Sequence, residues 1–177
     1  MHPETHRIGY RFPDLTLDRT PDHAFLDEAE SDLRVNEAYV ERARRELRHE
    51  RQFTESMHPG ATAMVVLDRI DDARRFIGEL TEFMKRSWSS GIPRTGLPAE
   101  EMESVSFALR SLGRSYAFIS DIAPRPEGYR AEIEAMLEED PWGGAARALD
   151  ILANAYDVVR DLVSVLRREL RQRRLAA

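Results

Sequence analysis

Apolar residues recur every three to four positions in four long stretches of this chain, and short Gly/Pro breaks separate the stretches. Leu26, Leu33, Val40 and Leu47 stand seven apart, with Ala29, Asn36 and Ala43 between them. Ile70, Ile77 and Met84 repeat the pattern with Val66, Ala73 and Leu80, and Met102, Leu109 and Tyr116 with Val105, Leu112 and Ile119. Trp142, Leu149, Tyr156, Val163 and Leu170 do so with Ala145, Leu152, Val159 and Leu166. Such spacing turns one stripe of each helix toward its neighbours. It predicts an all-α protein: an antiparallel up-down-up-down four-helix bundle with one short extra helix and an extended N-terminal arm.

Punctuation sets the boundaries. The signals place helices at about 21–57, 61–88, 98–123, 126–139 and 141–174. Thr20 can cap the first, Pro21 suits its first position, and Asp22 favours the positive end of the dipole. His58, Pro59 and Gly60 end it and turn the chain sharply. So short a connection predicts that the first two helices are antiparallel neighbours. Asp140 can cap the last helix and Pro141 can start it. Residues 21–177 therefore read as a single helical-bundle domain.

Residues 1–20 carry a different period. Ile8, Tyr10 and Phe12 alternate with Gly9 and Arg11, and beyond Pro13 Leu15 and Leu17 alternate with Thr16 and Asp18. Period two predicts an extended arm. An arm this apolar either folds back along its own bundle or docks on a partner or a second copy. Ile8, Tyr10 and Phe12 are its candidate contact residues. The last helix carries a second apolar stripe, Ala148, Ile151, Ala155, Val158, Leu162 and Val165. A helix apolar around most of its circumference is central in its domain or shared across an interface, and Ile151, Val158, Leu162 and Val165 are the candidates for sharing. Asn36 lies inside the first helix's stripe, where a buried amide can fix register and oligomeric state.

Composition narrows the function classes. The chain has 177 residues and no cysteine, which excludes disulfides, thiolate metal sites and a Cys nucleophile. Its formal charge of -6 argues against wrapping nucleic acid over a large face. Of its 26 basic residues only Lys85 is lysine, the bias a GC-rich, bacterial-like genome produces. The first residues lack a basic and then apolar leader pattern, and no apolar run reaches the ~20 residues that span a bilayer, so the expectation is a cytoplasmic protein without membrane insertion.

Three constellations carry possible chemistry. Carboxylate-bridged metal bundles use Glu-x-x-His on two helices. Glu46 with His49, and Glu55 with His58, have that spacing, but all five histidines fall in the first third of the chain. Glu46, His49 and His58 are thus the candidates for such a site, and they would need two copies of the first helix. Arg44 to His49, and Arg51 to His58, give an Arg-x4–6-His pattern that resembles the RNA-cutting helical domains found in toxins; it stands early in this chain, whereas in those domains it stands late. Glu100, Glu101 and Glu103, with Asp150, Asp157 and Asp161, offer carboxylates for Mg²⁺ as in helical nucleotide pyrophosphohydrolases, without the paired spacing that chemistry requires.

The sequence therefore favours a non-catalytic interaction or assembly protein that buries apolar helix faces against itself or a partner subunit, with no cofactor and no catalytic residue. Its alternatives are a small helical enzyme, metal-dependent hydrolase or ribonuclease, and a helical subunit of a nucleoprotein assembly. Nucleic-acid contact is expected only in that last case.

Overall fold

A computed structural model of the chain describes residues 10–15, 20–52, 59–88, 99–122 and 128–175. Five helices appear and, among the described residues, no strand: α1 (His23–Gln52), α2 (Pro59–Trp88), α3 (Ala99–Ile122), α4 (Gly128–Glu139) and α5 (Pro141–Leu175). Among the described residues no helix is long and apolar enough to cross a membrane.

The helix starts follow local chemistry. Asp22, not Thr20, caps α1: its Oδ1 accepts the Phe25 N–H at 2.8 Å, satisfying one of the donors that a helix start leaves free. Asp140 serves two helices. Its N–H closes α4 onto the Met136 carbonyl at 2.7 Å, and its Oδ1 accepts from Gly143 at 3.0 Å to open α5. This one-residue joint folds α4 back against α5. The approach is close enough that a Cβ on Gly144 would lie 3.0 Å from the Leu137 backbone nitrogen, so a larger residue there would push the two helices apart.

α5 is the axis. It packs against each of the other four helices, and α2 also packs against α3. Leu152, Val159 and Leu166 from its first stripe and Ala148, Val158, Leu162 and Val165 from its second are all buried. The four neighbouring helices thus fill its wide apolar face within the chain. Each large side chain so buried contributes ~1.5–3 kcal/mol.

Ion pairs record the register of the flanks. Arg167 of α5 meets Asp27 at 2.7 Å and Glu30 at 3.0 Å, Arg160 meets Glu37, and Arg44 reaches Asp150 at 2.9 Å. Positions fall along α5 as they rise along α1, so that pair is antiparallel. Arg167 Nη1 also lies 3.3 Å from His23 Nδ1. On the other flank Arg114 meets Asp161 at 2.7 Å, and Arg168 lies over the Phe107 ring.

The expected α1–α2 pairing takes a form the sequence did not suggest. α1 and α2 approach only sparsely through their backbones, because the arm lies between them. Two acidic side chains pair with a neighbouring helix although their own helix offers an arginine four residues on, Arg75 for Asp71 and Arg34 for Glu30. Asp71 pairs with Arg130 and accepts from the Tyr129 hydroxyl of α4, while Glu30 turns to Arg167. A neighbouring helix supplies a second charge at better geometry than the ~0.2–0.5 kcal/mol of an isolated helical pair can hold against.

Candidate functional site

The most elaborately built region is the seam in which α1 and α2 grip residues 10–15. α2 supplies Asp72, Arg75, Phe76 and Glu79, spaced so that all four lie on one face. Asp72 Oδ2 accepts the Phe12 N–H at 2.8 Å, and Glu79 Oε2 accepts the Leu15 N–H at 3.2 Å. Buried Pro13, between them, has no N–H to satisfy. Arg75 donates to the Phe12 carbonyl at 2.9 Å, to Asp72 Oδ1 at 2.9 Å and to both oxygens of Glu79 at 2.9 and 3.0 Å. It also pairs with Asp14 at 3.2 Å. Burial opposes the Arg75 charge, but the hydrogen bonds it donates to Asp72 and Glu79, together with their negative charges, outweigh it, so that its pKa is raised.

The Phe12 ring closes the seam from within. Only 1% exposed, it stacks on Phe76 with centroids 4.7 Å apart and meets Tyr156 edge-on at 6.1 Å. Phe25 of α1 completes the group, 6.0 Å from Phe76. Aromatic pairs in these geometries add ~0.5–1.5 kcal/mol beyond the area they bury.

At the other end Asn36, fully buried, bridges three segments. Its Nδ2 donates to the Tyr10 carbonyl at 3.1 Å and its Oδ1 accepts from Arg69 at 2.6 Å. The Arg69 guanidinium lies 3.7 Å from the Tyr39 ring centroid and 5.0 Å from that of Tyr10. Among the described residues its contacts are neutral: an amide, two ring faces and the Tyr156 hydroxyl. Its Nε is buried and meets no acceptor there. Burial raises the Tyr156 hydroxyl well above the usual tyrosine range, offset in part by the Arg69 charge and hydrogen bond. Burial likewise raises Tyr39, with Arg69 and Arg42 opposing it.

Of the residues singled out from the sequence, Tyr10, Phe12 and Asn36 come together in this seam. Ile151 is half-buried and Val158, Leu162 and Val165 are buried along α5, away from it. Ile8 and His58 lie outside the described residues. Glu46 and His49 stand on the exposed face of α1, where Glu46 faces Arg42 at 3.9 Å. Among the described residues no three His, Asp or Glu side chains gather to hold a metal. Arg44, of the Arg-x4–6-His pattern, borders an open groove of 420 Å³ floored by Leu47 and Leu149 and crossed by its ion pair to Asp150.

Arg69, Asp72, Arg75, Glu79 and Tyr39 were not foreseen. The i, i+3, i+7 spacing of Asp72, Arg75 and Glu79 is visible in the sequence, but a solvated face carries the same pattern. No family model matches the chain, nor does a curated protein or a solved structure.

Proposed function

We propose that the chain is a non-catalytic helical assembly protein of the cytoplasm. In this reading residues 21–177 form one domain, with α1, α2, α3 and α5 arranged as an up-down-up-down bundle, α4 as a cross-element, and the arm laid on it. The outer edge of α1 and α2 is buried against a second copy or a partner subunit. One observation supports this most: Val35 of α1 is 56% exposed, and Met64 and Val65 of α2 are 45% and 44% exposed. Val35 adjoins Asn36, and Val65 stands one turn from Arg69 on the same side of α2. Val35 and Val65 therefore border the Tyr10, Tyr39 and Arg69 stack, and Tyr and Arg are among the residue types enriched where proteins dock. Leu109 on α3, 57% exposed, is a surface apolar residue of the ordinary kind.

Native mass spectrometry across a range of concentrations tests the reading. The expected result is an oligomer or a stable complex whose affinity falls about tenfold in Val65→Asp, with helicity unchanged. A metal ion or nucleotide retained at whole-number stoichiometry would overturn it in favour of the catalytic alternative.

A further inference from the structure

We draw no further inference here: the strongest candidate, the exposed apolar edge of Val35, Met64 and Val65 beside the arm seam between α1 and α2, carries nothing, because nothing in the structure shows what covers it.

Discussion

The seams around α5 and the seam between α1 and α2 both bury large apolar side chains, and they do it by different means. Around α5, heptad-spaced Leu, Val and Ala side chains pack against four helices, and the charged pairs stay at the edges. Between α1 and α2 a non-helical segment enters, so its backbone donors and acceptors need partners. Asp72, Arg75, Glu79 and Asn36 provide them. Apolar packing is tolerant of which helix meets which, whereas a side chain that meets a main-chain atom fixes one segment in one register. The difference teaches where specificity resides in this molecule: α5 gives cohesion, and the arm seam gives a unique arrangement.

Phe12→Ala puts the comparison at greatest risk. If the arm is as integral as the α5 seams, the truncation costs about 3–5 kcal/mol, as for any buried Phe, and shifts the urea midpoint strongly. A midpoint within ~0.5 kcal/mol of wild type, as for a surface change, would reduce the arm to a superficial strap. Arg75→Ala comes next. It strips the Phe12 carbonyl, Asp72 and Glu79 of a shared donor, and a charge-assisted hydrogen bond of this kind is worth ~1.5–3 kcal/mol. Arg75→Lys should recover only part of that, because an ammonium cannot reproduce the planar fork; full recovery in chemical denaturation would show that charge alone suffices.

A smaller effect depends on pH. A tyrosine in the unfolded chain ionises near 10, and burial raises Tyr156 above that in the folded chain. Above pH ~10 the unfolded state therefore binds fewer protons than the folded one, and stability falls with rising pH until the folded hydroxyl ionises. Below pH ~10 the contribution is fully present. Tyr156→Phe should flatten the decline in urea midpoints between pH 9 and pH 11, leaving the part that Tyr39, also raised, continues to supply. An unchanged slope would place the loss elsewhere. Leu109→Ala should be the mildest, within ±0.5 kcal/mol, since Leu109 lies in a heptad stripe by spacing yet is exposed. A larger loss, measured in the same titration, would show that α3 buries more than its stripe indicates.

Leu109 also marks a limit of periodicity. Its spacing matches that of Leu152 or Ile77, but among the described residues α3 packs mainly on α5 and α2, and a stripe is buried only where another surface meets it. The expected end of α1, at about 57, lies outside the described residues. Asn36 was legible as a polar position inside the apolar stripe of α1, and it is buried there. Its partners were not, since the arm and Arg69 reach it from 26 and 33 residues away.

By itself the sequence determined that the chain is helical, close to where its helices start and stop, and which stripe of most of them turns inward. Those properties come from interactions between residues a few positions apart: side-chain period, caps, glycine and proline. Tertiary structure alone decided that α5 is the axis, that the arm separates α1 from α2, and that Asp72, Arg75 and Glu79 grip a backbone rather than face water. Each of these depends on groups brought together from distant positions. A carboxylate one turn from an arginine looks the same in a sequence whether it is solvated or buried against an N–H, and only the fold supplies the third partner.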